Sequence, residues 1–258
     1  MASLPDRLAQ ARVGVVGRGR LGTALATALR AAGVPVEGPA GRGEVPAGCR
    51  AILLCVPDSE IESAASIVAA AAPFVGHTSG ATPLAALAPA ARAGAETFGL
   101  HPLQAFTGSA SPVRLDGVGC AIAGSSPDSL EVAAALARRL GMEPFEIPEH
   151  GRAAYHAAAS IASNFLVTLE AAAERVAAGA DLDPDEARAL LAPLVRSTVE
   201  NWVALGPGRA LTGPVARGDE ATVEAQRAAV AAAAPELLAL FDELVAATRS
   251  LSGQGVVA

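Results

Sequence analysis

Short runs rich in β-branched residues alternate with alanine-rich stretches through the first 148 residues of this 258-residue chain. The runs predict strands at 12–16, 34–37, 51–56, 74–78, 96–100, 117–123 and 144–147. Helical patterns lie between them at 21–32, 59–72, 83–91 and 129–140. Buried strands that alternate with helices are typical of a doubly wound sheet whose strands run mostly parallel. The first half therefore predicts an α/β fold.

The pattern changes after Pro148, where strand-like runs end. No proline or glycine interrupts residues 152–178, which predict one long helix, and further helices follow near 184–205, 219–234 and 236–251. We therefore predict two domains, an α/β domain at 1–148 and an all-α domain at 149–258. Because the long helix is rich in alanine, it could pack closely against a second copy, and we expect a homodimer.

A glycine-rich segment lies at the first strand-to-helix junction. Gly17, Arg18, Gly19, Arg20, Leu21 and Gly22 read G-x-G-x-x-G, after one strand and at the start of a helix. In that position, Gly17 allows a tight turn, Gly19 lets the backbone approach a pyrophosphate, and Gly22 lets the helix pack close to the sheet. We interpret this segment as the dinucleotide-binding loop of a Rossmann-like domain. A glycine-rich turn without a ligand is the alternative.

Two features near the second strand point to different dinucleotides. Glu37 lies 20 positions after Gly17, where an acid would bind the ribose diol of NAD. Arg42 follows that strand and Arg18 lies in the loop, and a guanidinium suits the 2′-phosphate of NADP. We favour NADP and leave NAD open.

The chain contains no lysine, since all 19 of its basic residues are arginine. This absence excludes Schiff-base chemistry, a phosphate-loop lysine and a Tyr-x-x-x-Lys site. The net charge of −7 argues against nucleic-acid binding, and no apolar run is long enough to span a bilayer. The three cysteines lack metal-site spacing, so we expect no metal and a location in the reducing cytoplasm.

Ligands of open α/β sheets bind outside the carboxyl ends of the strands. Val56, Pro57 and Ser79 follow predicted strands and are candidate cofactor contacts. His101 and Gln104 follow the fifth strand, and we predict a catalytic role for His101 and a substrate contact for Gln104. A histidine satisfied by loop carbonyls is the alternative for His101.

Polar side chains also recur on the predicted long helix. His156, Ser160 and Asn164 are spaced four residues apart, which places them along one face of a helix. We predict that they contribute to catalysis, whereas ordinary small-residue helix packing is the alternative. Thr212 and Arg217 lie in a loop before the helix that Asp219 is expected to cap, and they are candidate substrate contacts, whereas a capping loop in which Arg217 pairs with an acid is the alternative.

Together these motifs resemble a known family. They are the glycine loop, Val56-Pro57-Asp58, His77-Thr78-Ser79-Gly80, His101-Pro102-Leu103-Gln104, Tyr155-His156 with Ser163-Asn164, and Leu211-Thr212-Gly213-Pro214 with Arg217-Gly218-Asp219. The family is that of Rossmann-like proteins whose C-terminal domain was long catalogued as of unknown function. It is similar in architecture to ketopantoate reductases, pyrroline-5-carboxylate reductases and β-hydroxyacid dehydrogenases. The resemblance implies an NADP-binding domain, an all-α dimerisation domain like that of 6-phosphogluconate dehydrogenase, and a site between them.

One departure from the related enzymes concerns the proton donor. Ketopantoate reductases and β-hydroxyacid dehydrogenases carry a general-acid lysine four residues before an asparagine of the long helix, and Ser160 stands there in this chain. The resemblance therefore implies an NADPH-dependent oxidoreductase acting on a small keto or imino carboxylate, most similar to ketopantoate reductase. In it, His101 or His156 would donate the proton, Ser160 and Asn164 would orient the substrate, and Arg217 would bind its carboxylate. An imino acid reductase, which does not need the lysine, and a non-catalytic NADP-binding sensor remain alternatives.

Overall fold

The strands form one seven-stranded sheet in the order β2-β1-β3-β4-β5-β6-β7. The structure, a computed structural model, describes residues 11–108 and 113–254. The strands are β1 Val13–Val16, β2 Val36–Ala40, β3 Ala51–Leu54, β4 Phe74–His77, β5 Glu96–Pro102, β6 Gly119–Gly124 and β7 Glu143–Glu146. Among the strands of the described ranges, only the β5–β6 pair is antiparallel. The predicted Rossmann-like, mostly parallel α/β fold is confirmed.

Helices connect the strands and continue beyond the sheet. They are α1 Arg20–Ala31, α2 Ile61–Ile67, α3 Ala88–Arg92, α4 Pro127–Arg139, α5 Arg152–Ser160, α6 Leu166–Ala177, α7 Pro184–Leu205, α8 Pro207–Ala210, α9 Pro214–Arg217, α10 Glu220–Ala233 and α11 Leu238–Gln254. The helix predicted at 59–72 begins as a 3₁₀ turn, Asp58–Glu60, and ends early, at Ile67. The helix predicted at 83–91 has a 3₁₀ turn, Leu84–Leu87, in place of its first half.

Buried apolar side chains cover both faces of the sheet. On one face, Leu25 and Leu29 of α1 and Val132 and Leu136 of α4 pack on the strands. On the other face, the packing comes mainly from α2 and α3, as with Ile61. Since apolar burial contributes about 25 cal/mol per Å² removed from water, both layers hold the strands in register.

The parallel strands place their carboxyl ends along one edge of the sheet. Val16 pairs with Ala40 of β2 and with Leu54 of β3, and Leu54 pairs in turn with His77 of β4. His77 pairs with Gly99, two residues before His101. The loops after β1, β3 and β4 and the end of β5 therefore lie side by side, where open α/β sheets bind ligands.

The chain divides into two compact units, with the boundary between Ser163 and Asn164. The first unit includes the sheet and α5, so its limit lies beyond residue 148, where the change of pattern predicts the domain boundary. The boundary at 148 stays a prediction.

The helix predicted without interruption over 152–178 contains a π-helical segment, Ile161–Phe165, between α5 and α6. A π turn inserts one extra residue into a helix and changes the angular spacing of the side chains that follow it. The regular four-residue spacing that places Asn164 in line with His156 and Ser160 is therefore interrupted before Asn164.

The second unit is all-helical and held by side-chain ion pairs and caps. Asp219 caps α10 by accepting from the Thr222 N–H at 3.2 Å, as predicted. Arg227 of α10 donates from Nε and Nη2 to the two carboxylate oxygens of Asp242 on α11, at 2.9 and 3.0 Å. Across the two described ranges, no helix combines the length and the apolar character that a membrane crossing requires.

Candidate active site

The glycine loop has the geometry that its motif predicts. Gly17 has a φ of 115°, and a Cβ there would lie 2.1 Å from the carbonyl oxygen of Cys55. A Cβ on Gly22 would lie 2.1 Å from the carbonyl oxygen of Gly17, so this glycine brings α1 against the loop. A Cβ on Gly19 would meet no atom within 4 Å, and no side chain caps the first turn of α1. The loop therefore leaves open space at Gly19, next to the uncapped backbone N–H groups of the first turn of α1. Such N–H groups suit a phosphate.

Arg18, the second residue of this loop, is paired with the carboxylate of Glu44. Arg18 donates from Nη2 to both carboxylate oxygens of Glu44, at 3.0 and 2.7 Å, and from Nε to the Pro39 carbonyl at 3.2 Å. The Gly41 N–H donates to the same Glu44 carboxylate at 2.7 Å and, with Arg18, lowers the pKa of Glu44. A guanidinium and a backbone N–H thus converge on one anionic group.

The register of β2 separates Glu37 from the ribose position. Glu37 pairs with Gly14, in the middle of β1, and forms an ion pair of 3.7 Å with Arg12 at the start of that strand. The dinucleotide ribose would lie at the carboxyl end of β2, about three residues or roughly 10 Å further on. Arg42 follows that end, is largely exposed, and pairs with Glu60 at 3.2 Å.

The remaining predicted cofactor residues differ in their surroundings. Leu21 is partly buried in the α1 layer, and the Arg20 side chain lies against Gly108, where a Cβ would be 3.1 Å from its Cγ. Val56 is half-buried and Pro57 exposed, directly after β3. Ser79 is buried after β4, and its Oγ accepts from the N–H groups of residues 81 and 82 at 3.2 and 2.9 Å.

His101 lies at the centre of the carboxyl edge. Its Nδ1 shares a hydrogen bond of 2.8 Å with the hydroxyl of Tyr155 on α5. A Cβ on Gly80 would lie 2.8, 2.9 and 3.0 Å from Cε1, Nε2 and Nδ1 of His101, so the imidazole lies across the bare Cα of Gly80. His156 follows, with its ring centroid 6.1 Å from that of His101.

Burial keeps the His101 imidazole neutral. Desolvation, together with the nearby His156, lowers the pKa of His101 to about 4. Burial likewise raises the pKa of Tyr155 to about 12, and the Arg152 charge opposes that increase. At neutral pH the pair is therefore an uncharged imidazole and an un-ionised phenol, and an imidazolium donor at His101 would be scarce.

Burial keeps the His77 imidazole neutral as well. It is fully buried, and its Nδ1 accepts from the Ser79 N–H at 3.2 Å. Burial, together with the positive charge of Arg152, lowers the pKa of His77 to about 4. Its role in the structure is to hold the turn after β4.

The other predicted catalytic and substrate residues belong some to the first unit and some to the second. His156 is exposed, Ser160 half-buried one turn later on α5, and Gln104 exposed just after β5. Asn164, Thr212 and Arg217 belong to the second unit, where Arg217 ends α9 and is exposed. Their convergence on one substrate stays a prediction.

Three residues near these groups were missed from the sequence, namely Tyr155, Arg152 and Glu44. The sequence assigns Tyr155 no role beyond its place in the Tyr155-His156 motif, but its hydroxyl meets His101, 54 positions earlier. A signal was present for two of them, because Arg152 and Tyr155 are three residues apart at the start of a helix and share a face. Nothing in the local pattern distinguished Glu44 from a surface carboxylate.

The sheet and its glycine loop are of the Rossmann type. The chain belongs to the family described as Domain of unknown function (DUF2520), which matches residues 118–248, half of its length. This confirms the resemblance inferred from the motifs. No curated protein matches the chain.

Solved structures share the fold over nearly the whole chain. BF3122 from Bacteroides fragilis, assigned as an NADP oxidoreductase, is 20% identical with a TM-score of 0.80, covering 94% of this chain and 99% of its own. TM1727 from Thermotoga maritima is 24% identical with a TM-score of 0.70, covering 94% and 98%. Pyrroline carboxylate reductase from Plasmodium falciparum, solved with NADP bound, is 11% identical with a TM-score of 0.57, covering 95% and 99%.

Proposed function

We propose that the protein is an NADPH-dependent oxidoreductase that reduces a small keto or imino carboxylate, with a ketopantoate-like keto acid as the preferred class. The observation that carries this proposal is the neutral His101–Tyr155 pair at the carboxyl edge of the sheet, the edge on which the glycine loop also lies. The fold, shared with a reductase solved with NADP bound, supports the same class.

The chain's own residues fit a dinucleotide. The open space at Gly19 and the first turn of α1 suit the pyrophosphate, and Gly17 and Gly22 shape that turn. Arg18 and the Gly41 N–H, which hold the Glu44 carboxylate, suit a 2′-phosphate, and Arg42 lies close by in sequence. The distance of Glu37 from the end of β2 favours NADP over NAD. When bound, NADPH supplies the hydride.

His101 and Tyr155 supply the proton by a relay. The Tyr155 O–H donates to Nδ1 of neutral His101, which leaves Nε2–H to donate to the substrate carbonyl oxygen, in the way a neutral imidazole acts as an electrophile in other enzymes. When the carbonyl carbon is reduced, Nε2 gives its proton to the oxygen and Nδ1 receives the Tyr155 proton. The imidazole stays neutral, and the phenolate, stabilised by the charge of Arg152, is reprotonated by water.

His156, Ser160 and Asn164 orient the substrate in this proposal, and Gln104, Thr212 and Arg217 complete its binding. Ser79 and the Val56-Pro57 turn border the cofactor. Reduction of an imino acid would depend less on proton donation by His101 and Tyr155, because an iminium already carries its proton. The dependence of turnover on Tyr155 therefore separates the two substrate classes.

The assembly we propose is a homodimer in the reducing cytoplasm. Large apolar side chains of the second unit are exposed on α6 and α7, with Val167 at 69%, Leu190 at 64%, Leu194 at 61% and Val203 at 72%. An apolar surface of this kind is typical of a subunit interface. A second copy is the natural occupant because most soluble oligomers are homo-oligomers.

The test is NADPH binding followed by turnover. Fluorescence titration gives the affinity for NADPH and NADH, and NADPH absorbance is then followed with ketopantoate, other 2-keto acids and cyclic imino acids. Consumption with a keto or imino acid supports the proposal. Tight NADPH binding without turnover of any of them favours a sensor, and no binding of either dinucleotide contradicts the proposal.

A further inference from the structure

One arginine is buried at the carboxyl edge of the sheet with most of its hydrogen-bonding capacity unused. Arg152, the first residue of α5, is only 5% exposed. Its Nε donates to Glu149 at 2.8 Å, and the Glu149 side chain is itself 58% exposed. Among the described residues, no hydrogen bond reaches either Nη atom of Arg152, and neither atom is fully enclosed, since the fully buried side-chain atoms without a partner are Arg50 Nε and His77 Nε2.

The guanidinium of Arg152 lies beside Gly99 on β5. A Cβ on Gly99 would lie 3.7 Å from Nη2 of Arg152, so the guanidinium lies over the part of β5 that lacks a side chain. Gly99 precedes His101 by two residues, and alternate residues of a strand face the same side of the sheet. Arg152 likewise precedes Tyr155 by three residues on α5. The guanidinium is therefore next to the His101–Tyr155 pair, consistent with its effect on both pKa values.

Burying a cation is costly unless hydrogen-bonding partners compensate for the lost water. A single bond to a largely exposed carboxylate uses one of the five N–H donors of the guanidinium. The unused donors on the two Nη atoms form a planar fork that matches a carboxylate, which arginine binds in bidentate fashion. The donors on the two Nη atoms are therefore available to an anionic ligand.

We propose that Arg152 is the anion-binding residue of this site and takes the carboxylate of the substrate. The identity of that anion rests on the proposed function, whereas the binding site does not. Arg152 suits this role better than Arg217, because a buried guanidinium interacts with an anion in a lower dielectric than an exposed one. A carboxylate on Arg152 would also place an adjacent keto carbon close to His101.

The alternative is a structural role in which Arg152 only fastens the start of α5. Binding of a probe anion distinguishes the two roles. The probe is 2-oxobutanoate, with the uncharged 2-oxobutanamide as its match, and the readout is the NMR signals of the four histidines. We expect 2-oxobutanoate to shift the His77 and His101 signals saturably at millimolar concentrations, and the amide to leave them unchanged.

Variants then assign the site. Arg152→Met should weaken binding of 2-oxobutanoate about tenfold to a hundredfold, the usual effect of losing hydrogen bonds to a charged group. Arg152→Lys keeps the positive charge but loses the planar pair of Nη donors, so its affinity for 2-oxobutanoate should lie between those of the wild type and Arg152→Met. Glu149→Gln, which removes the competing carboxylate, should bind as tightly as the wild type or more tightly, and the exposed Arg92→Met should be unchanged.

Unaltered binding in Arg152→Met or Arg152→Lys overturns the proposal, as does the absence of a saturable shift in the wild type. If Arg152→Met does not fold, Arg152→Lys still decides the question, because a purely structural role predicts no change in its probe affinity. NADPH affinity, measured on the same samples, tests the proposed function separately. Retained NADPH binding with no effect at Arg152 leaves the reductase proposal standing and removes only the anion site.

Discussion

The hydroxyl of Tyr155 lies 2.8 Å from Nδ1 of His101, although 54 residues separate the two in the sequence. The contact joins the end of β5 to the first helix after the sheet. Because both groups are desolvated, the pair is uncharged at neutral pH. A neutral pair of this kind can hand on a proton without a lysine, which this chain lacks.

Alanine at Gly19 should affect NADPH binding, whereas alanine at Gly22 should affect stability. Gly19→Ala adds a Cβ into open space at a φ of −73°, so thermal stability should be unchanged, but the methyl group occupies the pyrophosphate position. NADPH affinity should fall about tenfold or more, the loss expected for hydrogen bonds to a charged group. Gly22→Ala should instead lower the melting temperature, because its Cβ would overlap the Gly17 carbonyl oxygen. Calorimetry and NADPH titration measure both, and unchanged NADPH affinity in Gly19→Ala would contradict the assignment of this loop.

Arg18 and Glu44 should control the choice between NADPH and NADH. Glu44→Gln frees the Arg18 fork and should raise NADPH affinity several-fold, with little effect on NADH, which has no 2′-phosphate. The effect stays modest because the pair is exposed. Arg18→Ala should weaken NADPH about tenfold and leave NADH unchanged. Titration with both dinucleotides is the measurement, and Arg42→Ala reports the contribution of the second arginine. Equal affinity for NADPH and NADH in all four proteins would refute the preference for NADP.

The buried histidines should make the protein less stable in mild acid. The pKa of His77 and of His101 is about 4 in the folded protein and near 6.5 when unfolded. Between pH 4 and 6.5 the unfolded chain binds more protons than the folded protein does. The free energy of unfolding is therefore highest above pH 6.5 and decreases as the pH falls toward 4. Each histidine contributes a slope of at most about 1.4 kcal/mol per pH unit.

Urea denaturation between pH 7.5 and 4.5 tests this slope. His77→Asn keeps an acceptor for the Ser79 N–H and should flatten the dependence by the share of one histidine. The exposed His150→Asn is the matched control and should keep the wild-type slope. A wild-type slope in His77→Asn would show that His77 is not held neutral by the fold.

A charge on the exposed apolar surface should disrupt the dimer. Leu194→Asp places a carboxylate on α7, where the wild-type side chain is 61% exposed, so the folded subunit should tolerate it. Sedimentation at micromolar concentration should give a dimer for the wild type and a monomer for Leu194→Asp. Leu240→Asp, at a 36% exposed position on α11, is the control. A monomeric wild-type protein would contradict the proposed assembly.

Much of the fold was predictable because the signals are local. Glycines and prolines separate the seven strands, and Asp219 marks the start of its helix by its own side chain. The π-helical segment Ile161–Phe165 was not predictable, since no proline or glycine accompanies it. The two 3₁₀ starts were also missed, because Pro57 and Pro83 mark where each helix begins but not whether its first turn is α or 3₁₀.

The candidate site was also predictable only in part. The glycine loop is contiguous in sequence, so its spacing was sufficient to predict its shape. The contact between His101 and Tyr155, and the place of Arg152 over Gly99, depend on how α5 packs on the sheet. Periodicity shows which residues share a helix face, but it does not show which strand that face meets.

The central claim is tested most directly by the turnover of ketopantoate with NADPH in the wild type and in Tyr155→Phe, with NADPH affinity measured on the same samples. The relay predicts NADPH oxidation by the wild type, and a loss of about a hundredfold or more in kcat for Tyr155→Phe, the usual size of an acid–base contribution. NADPH affinity should be equal in the two proteins. Turnover by Tyr155→Phe at the wild-type rate, or NADPH binding by the wild type without oxidation of NADPH, would contradict it.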